Sequence, residues 1–287
     1  MTEMVVIIFL IIGVVVFGVL GLSICMLRPE MEKTRSFAIF EHTMIAHRGL
    51  FNNASEVPEN SLAAFQRGME CGFGMELDVQ LTKDGKLVVF HDFDLKRMCG
   101  VHKKLTESTY AELQQYLLKN STQKIPLFSD VLNLIGGKVP LVVEIKVGFD
   151  YKATTEAAAA MLSEYKGIYC IECFNPLALV WYRRHYPNVL RGQLSMNFFQ
   201  SEDKMPQIIR FFLTNLLLNF WAKPDFISYN HKDCQIRGFR MCRKLFGVKT
   251  AAWTIKNEAE LEAARETFDM FIFDSFMPKE GEKVRVS

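Results

Sequence analysis

Apolar and polar positions follow two alternating rhythms from residue 44 onward. Short runs rich in β-branched and other apolar residues are separated by longer stretches with the period of an amphipathic helix. This alternation predicts a parallel α/β architecture. Nine strands are expected, at residues 44–46, 75–79, 87–90, 141–145, 168–173, 190–194, 226–229, 250–254 and 270–273.

The length and the strand count favour one barrel-sized domain of irregular form. After the N-terminal apolar segment about 250 residues remain, which is the usual size of a TIM (β/α)8 barrel. Residues 59–71 predict a crossover helix that Asn60 or Ser61 caps. Nine strands are one too many, however, and residues 82–85 form a link too short for a crossover helix between parallel strands. The barrel is therefore expected to be irregular at this link.

Two further segments interrupt the regular pattern. Residues 93–140 form an insertion after the third strand, with a helical portion near 108–119, and such insertions usually lie over an active site. We expect this insertion to influence substrate choice. Residues 208–221 are apolar and rich in aromatic side chains, yet too short to span a membrane. They predict either a buried barrel helix or a segment that rests on a membrane surface.

The N-terminal segment predicts a membrane anchor. Residues 4–27 contain no charged side chain and are long enough to cross a bilayer as one helix. A cleaved signal peptide is the alternative, but it usually has a basic start and a shorter apolar core. Arg28, Lys33 and Arg35 follow the apolar run, so the positive-inside rule places the domain that follows on the cytoplasmic side of the cell membrane.

Composition supports this placement and narrows the possible partners. Seven scattered cysteines fit a reducing compartment better than a disulfide framework. The net charge of +2 comes from interspersed acids and bases, so nucleic acid is not an expected partner. The lipid bilayer is an expected partner because of the apolar N-terminal segment. No protein partner is implied. The predicted organisation is an anchor at 1–28, a linker at 29–43, a barrel domain at 44–280 and a tail at 281–287.

Four short motifs lie at or near the ends of the first four predicted strands. In a barrel, the carboxyl ends of the strands form one face on which catalytic groups gather. Side chains about a hundred positions apart can therefore meet there. The motifs are Ala46-His47-Arg48-Gly49, Glu76-Leu77-Asp78, His91-Asp92 and Glu144-Ile145-Lys146.

The residue types in these motifs suit phosphodiester chemistry. Glu76 and Asp78 are two apart on a strand and so point to the same side, where Glu144 adds a third carboxylate. An all-oxygen set of this kind favours a hard divalent cation such as Mg²⁺ or Ca²⁺ over zinc. Arg48 and Lys146 could bind the remaining phosphate oxygens.

Two histidines complete the predicted site. His47 and His91 are expected to act as general base and general acid, with the assignment of the two roles open. Each signal is weak when taken singly, because a lone histidine at a strand end is more often structural. Cys170 and Cys173, which could be imagined as half of a zinc site, lie within a strand run and are expected to be packing residues.

The combined motifs resemble the glycerophosphodiester phosphodiesterase family over residues 44–278. The resemblance runs through AHRG, PENS, MELDVQLTKDGKLVVFHD, LVVEIK, FNPLAL and AAWTI. It implies a TIM barrel, a Mg²⁺- or Ca²⁺-type ion at the three carboxylates, a histidine acid–base pair and phosphate contacts from Arg48 and Lys146. It also implies supporting roles for Glu59, Asn60 and Trp253. The chain departs from the family at 273–278, where relatives commonly carry Thr-Asp-x-Pro and this chain has Phe273 in place of the threonine.

The expected reaction is hydrolysis of a glycerophosphodiester to glycerol 3-phosphate and an alcohol. A metal-activated water could attack, or the substrate's own 2-hydroxyl could attack and form a cyclic phosphate, and the sequence does not separate these routes. The membrane anchor and the apolar 208–221 segment make a lysophospholipase D, which releases lysophosphatidic acid, the nearest alternative. A membrane-tethered lipid-binding module without activity is a third possibility. The complete set of acid, base and metal positions argues against it.

Overall fold

The computed structural model describes residues 2–30, 37–147, 150–202 and 204–279. The predicted tail and part of the predicted linker, with Lys33 and Arg35, lie outside the described residues. The orientation that was predicted from these charges together with Arg28 therefore stays a prediction.

Eight parallel strands close into a barrel, as predicted. β2 pairs with β4, each strand from β4 to β8 pairs with the next along the chain, and β1 pairs with both β9 and β2, which joins the ends of the sheet. Every predicted strand is present, with ends that shift by no more than a few positions. The strands are β1 (Met44–Ala46), β2 (Gly74–Leu81), β3 (Leu87–Val89), β4 (Leu141–Ile145), β5 (Tyr169–Cys173), β6 (Arg191–Ser195), β7 (Phe226–Asn230), β8 (Lys249–Ile255) and β9 (Met270–Phe273).

The predicted irregularity is a hairpin. β3 runs antiparallel to β2, with Gln80 opposite Val88, so β3 lies outside the closed barrel. The turn is tight: the Thr82 hydroxyl donates to Asp84 at 2.7 Å, and Gly85 adopts a positive φ of 74°. A barrel of eight strands and one excluded strand accounts for the nine runs.

Helices surround the barrel on its outer side. Ser61 caps α2, because its hydroxyl accepts from the Ala64 amide at 3.1 Å, which leaves Asn60 free for another role. Buried apolar side chains of the strands and helices form one large cluster between the two layers. The helices are α1 (Thr2–Leu27), α2 (Leu62–Glu70), α3 (Lys96–Cys99), α4 (Tyr110–Leu113), α5 (Phe128–Ile135), α6 (Tyr151–Glu164), α7 (Pro176–His185), α8 (Gln207–Thr214), α9 (Asn219–Ala222), α10 (Arg237–Phe246) and α11 (Glu258–Arg265).

The 93–140 segment is only partly an insertion. Its first part contains α3 and α4 and packs around its own small hydrophobic cluster. Its last helix, α5, packs against α2 and β3 and so belongs to the ring of barrel helices. The helix expected near 108–119 is shorter than predicted, since α4 extends only over Tyr110–Leu113 behind a Thr109 capping box.

The end of the predicted linker belongs to the barrel. Phe37 and Phe40 are buried among the first inward residues of the strands and close the floor of the barrel. The Phe37 ring lies 5.4 Å from the ring of Phe226, at the start of β7. The domain therefore begins at or before residue 37 rather than at 44.

The C-terminal end of the helix α1 contacts the barrel domain. Its residues 4–27 are long and apolar enough to cross a membrane, although a signal sequence has the same properties. Leu27 is buried, and its carbonyl accepts from Asn219 Nδ2 of α9 at 3.3 Å. The amide of Glu30 donates to the carbonyl of Pro224 at 2.9 Å. The C-terminal end of α1 is thus fixed to the barrel wall.

The 208–221 segment forms α8 and α9, which are only partly buried. Leu216 and Asn219 are buried against the barrel, but the outer face is open to solvent. That face carries Ile208, Ile209, Phe211, Phe220 and Trp221, which we call the α8–α9 surface. The prediction of a buried barrel helix was therefore wrong for this outer face.

Candidate active site

Three carboxylates meet inside the barrel near the carboxyl ends of β2 and β4. Asp78 lies opposite Glu144 in the strand register, and Glu76 is one inward position below Asp78. All three are buried, and oxygen atoms of the three lie within 4.8 Å of one another. Leu77, between the two β2 acids, packs outward into the main apolar cluster, as the strand period predicts.

The electrostatics of this cluster favour a bound cation. Burial, together with the charges of Asp78 and Glu144, raises the pKa of Glu76 well above its usual range. The pKa of Asp78 is lowered, since His91, Lys146 and Arg48 outweigh the effect of burial. Asp78 Oδ1 is buried without a hydrogen-bond partner. Crowded carboxylate oxygens with an unsatisfied lone pair fit a hard divalent cation.

Two positively charged side chains border the carboxylate cluster. Lys146 Nζ lies 2.9 Å from Glu144 Oε1 and 3.4 Å from Asp78 Oδ1. Arg48 Nε lies 3.4 Å from Asp78 Oδ2. Burial lowers the pKa of Lys146, but Glu144 and Asp78 raise it by more. Both side chains stand where the sequence placed them, and both are paired with carboxylates of the protein.

His47 is held by a carboxylate at the opposite end of the chain. His47 Nδ1 lies 2.9 Å from Oδ2 of Asp274, the residue that follows β9, and its Nε2 lies 4.0 Å from Glu76 Oε2. A proton on Nδ1 leaves Nε2 as the free nitrogen facing the cluster. Burial and the charge of Arg48 lower the pKa of His47, although Asp274 opposes them. These effects favour the neutral form of the ring.

His91 belongs to a second chain of ion pairs. Its Nδ1 lies 2.6 Å from Asp92 Oδ1, and Arg97 Nε donates to Asp92 Oδ2 at 2.7 Å. The same guanidinium grips both oxygens of Glu59, at 2.7 and 2.6 Å. Glu59 also accepts from Arg48 Nη1 at 2.6 Å. The α3 residue Arg97 thus ties the two halves of the site together.

The remaining predicted residues complete the walls. Asn60 Nδ2 donates to Asp78 Oδ2 at 2.9 Å and so orients this carboxylate. The Trp253 ring lies 5.7 Å from the ring of Phe174, edge to face, and Phe174 lies 6.0 Å from Phe198. Lys146 Nζ lies 6.0 Å from the Phe174 ring centre. These three rings form an aromatic wall beside the charged cluster.

The structure brings all ten predicted residues together and adds several that were not predicted as site residues. Asp274 lies within the stretch that departs from the family pattern, where attention fell on the missing threonine. Arg97 carries no recognisable spacing signal. Glu172 on β5 stands beside Glu144, and burial raises its pKa to about 8. A buried inward carboxylate in the 168–173 run was the available signal for Glu172.

Comparisons with known proteins agree with this geometry. Residues 47–274 match the sequence model described as the glycerophosphoryl diester phosphodiesterase family. A glycerophosphodiester phosphodiesterase of Caldanaerobacter subterraneus is 37% identical over 162 residues, which cover 53% of this chain and 65% of that protein. A lysophospholipase D of Rattus norvegicus is 32% identical over 163 residues, which cover 52% of this chain and 50% of that protein. The matched segment spans between half and two thirds of these two relatives.

Solved structures show the same fold over nearly the whole barrel. The phosphodiesterase of Oleispira antarctica, in complex with its product sn-glycerol-3-phosphate, aligns with a TM-score of 0.67 at 22% identity, covering 84% of this chain and 95% of that one. The glycerophosphodiester phosphodiesterase of Thermotoga maritima aligns with a TM-score of 0.60 at 25% identity, covering 81% and 94%.

Proposed function

The chain belongs to the glycerophosphodiester phosphodiesterase family, and from this premise we propose that it hydrolyses glycerophosphodiesters to glycerol 3-phosphate and an alcohol. One observation carries the proposal. A buried triad of carboxylates lies beside a histidine whose Nδ1 is paired with Asp274, while a second histidine nearby is paired with Asp92. A purely structural core would not gather so many charges, because each buried charge is costly.

The proton transfers are assigned to the two histidines. His47, neutral and with Nε2 free, accepts the proton of the attacking oxygen, which belongs either to water or to the substrate's 2-hydroxyl. His91 donates a proton to the head-group oxygen as its bond to phosphorus breaks. Asp274 and Asp92 fix the two rings and stabilise their charged forms. Each ring is held through Nδ1 and so keeps Nε2 for proton transfer. We assign the base role to His47 because burial and Arg48 lower its pKa.

The charged groups around the carboxylates serve the phosphate. A divalent cation held by Glu76, Asp78 and Glu144 would supply charge neutralisation at the phosphoryl oxygens. Arg48 and Lys146 stand beside the same carboxylates and can exchange part of their ion pairing for phosphate oxygens. Mg²⁺ and Ca²⁺ both suit an all-oxygen set, so we propose one of these two ions.

The test is release of glycerol 3-phosphate from glycerophosphocholine by the full chain in detergent, with Mg²⁺, with Ca²⁺ or with EDTA. Metal-dependent release that His47→Ala abolishes, and that His102→Ala leaves unchanged, supports the proposal. His102 is a suitable control because it is an exposed histidine of the same insertion that carries Arg97. Folding of each variant is checked by circular dichroism. Failure of the wild-type chain to hydrolyse any tested diester would favour the lipid-binding module.

A second activity is favoured by the apolar features of the chain. We propose lysophospholipase D action as the alternative, because α1 and the α8–α9 surface would place the barrel beside lipid. The rat relative carries this activity in its name. Lysophosphatidylcholine in the same assay decides between the two: release of lysophosphatidic acid without turnover of glycerophosphocholine would assign the chain to lysolipids.

A further inference from the structure

The α8–α9 surface is a cluster of exposed apolar side chains rather than a scatter. Its five residues are between 40% and 61% exposed, and they lie on two helices joined by only four residues. Phe199, also exposed, belongs to a short helical turn that packs against α8. Single exposed apolar residues need no explanation, but a contiguous group of aromatic and aliphatic side chains marks an interaction site.

The position of α1 identifies what covers this surface. The carbonyl of Leu27, the last residue of α1, accepts from Asn219 of α9. Phe220 and Trp221 follow Asn219 directly in α9. A bilayer that contains α1 must end close to Leu27, so these two rings lie at its boundary. Tryptophan and phenylalanine at the level of the lipid head groups are typical of such boundaries.

The other neighbour of α1 is basic. The Cys242 thiol of α10 lies 3.5 Å from the same Leu27 carbonyl. The helix α10 contains four basic residues and no acidic one, and Arg237, Arg240 and Lys244 are exposed. We call these three residues the α10 basic face. The helix α1 thus leaves the barrel beside an apolar surface on α9 and a basic face on α10, a combination that fits anionic phospholipid.

We propose that the α8–α9 surface and the α10 basic face seat the barrel on its side against an anionic lipid bilayer in which α1 is inserted. The proposal concerns binding and does not rest on catalysis. It also places the mouth of the barrel near lipid. Arg210 of α8 donates to the carbonyl of Phe198 at 2.5 Å, and Phe198 belongs to the aromatic wall of the site.

Trp221 allows a direct test in the full chain. The chain has three tryptophans, so the variant with Trp181→Phe and Trp253→Phe leaves Trp221 as the only one. This variant is reconstituted into vesicles of phosphatidylcholine and phosphatidylglycerol, with and without phosphatidylcholine that carries a nitroxide quencher near its head group. Quenching of Trp221 fluorescence reports contact with lipid at the depth of the quencher.

A matched control comes from the other side of the barrel. In the closed strand order β2 lies across the barrel from β7, so the connection that carries Leu117 is far from the one that carries Trp221. Leu117 is 45% exposed, similar to Trp221 at 40%. The control variant lacks all three native tryptophans and carries Leu117→Trp. We expect strong quenching of Trp221 and little quenching of the tryptophan at 117.

Charge reversal tests the basic face separately. Arg237→Glu with Arg240→Glu should lower the quenching of Trp221 severalfold on vesicles with phosphatidylglycerol. Lys83→Glu with Lys86→Glu, in the exposed β2–β3 turn, should not change it. Equal or absent quenching at the two tryptophan positions overturns the proposal. So does release of the chain from vesicles by alkaline carbonate, because α1 would then not be inserted.

Discussion

Replacing Asp274 by asparagine tests the least expected contact of the site. The side chain keeps its shape but loses its charge, and its amide nitrogen can donate to His47 Nδ1 where the carboxylate could only accept. The ring would then carry its proton on the wrong nitrogen. The contact joins residues 227 positions apart, and both side chains are largely buried.

The size of the effect follows from the loss of one charge-assisted hydrogen bond. Such a bond contributes about 1.5 to 3 kcal/mol, and each 1.36 kcal/mol corresponds to about a tenfold change in rate. We therefore expect kcat/KM for glycerophosphocholine to fall about 10- to 100-fold, provided that the bond is maintained in the transition state.

The pH profile gives a second readout that a merely structural role would not move. The hydrogen bond and the charge of Asp274 raise the pKa of His47 against burial and Arg48. Without them the pKa of His47 falls further. If His47 is the general base, the acidic limb of the kcat/KM profile therefore moves to lower pH. If His47 were the acid, the basic limb would move instead.

The assay compares the full chain, Asp274→Asn and Asp94→Asn across pH in detergent. Asp94 is an exposed carboxylate that accepts from the Lys96 amide at 2.9 Å, so its loss controls for the change of one charge. A kcat/KM within about twofold of wild type, with both limbs in place, would refute the assignment of Asp274 as the residue that orients His47.

Three further outcomes are expected. Arg97→Lys should reduce kcat about tenfold or more, because lysine lacks the planar guanidinium that binds Glu59 and Asp92 at the same time. Pre-steady-state kinetics would show whether the chemical step slows. Glu76→Gln should raise the melting temperature of the metal-free chain, since it relieves carboxylate repulsion, and should weaken the stabilisation by Mg²⁺ or Ca²⁺ seen in calorimetry. Arg97 and Arg48 lower the pKa of Glu59 to about 2 despite its burial. The ionised carboxylate therefore stabilises the folded state by up to about 3 kcal/mol. This contribution is complete above pH 4.5 and is lost as the pH falls towards 2. Urea titrations between pH 2 and 6 should show this slope flattened in Glu59→Gln.

The barrel was predictable from the sequence because each of its strands is a short run of residues that are buried on both faces of the sheet. The 82–85 link even located the irregularity, since no crossover fits in so few residues. Which strand lies outside the barrel depends on the pairing between strands, and the sequence of a single strand does not determine its partner. Only the register of β2 with β3 shows that the third strand turns back.

The charged groups of the candidate site were predictable where they lie on strands or follow them, and their partners were not. Glu76 and Asp78 share one strand face by simple period, whereas Asp274 meets His47 only because β9 pairs with β1. Arg97 reaches Glu59 through the folding of the insertion over the mouth. Exposure of the 208–221 face was likewise not predictable, because hydrophobicity alone does not distinguish a side chain that packs on the barrel from one that is exposed.

The floor of the barrel sets an order for biosynthesis. Phe37 and Phe40 emerge from the ribosome soon after α1, yet their partners Phe226, Ala251 and Met270 are synthesised much later. The same is true of β1, which cannot pair with β9 until β9 has been synthesised. The nascent chain therefore leaves its first strand and the rings of Phe37 and Phe40 without these partners until β9 has been synthesised, which leaves this apolar surface exposed in the meantime.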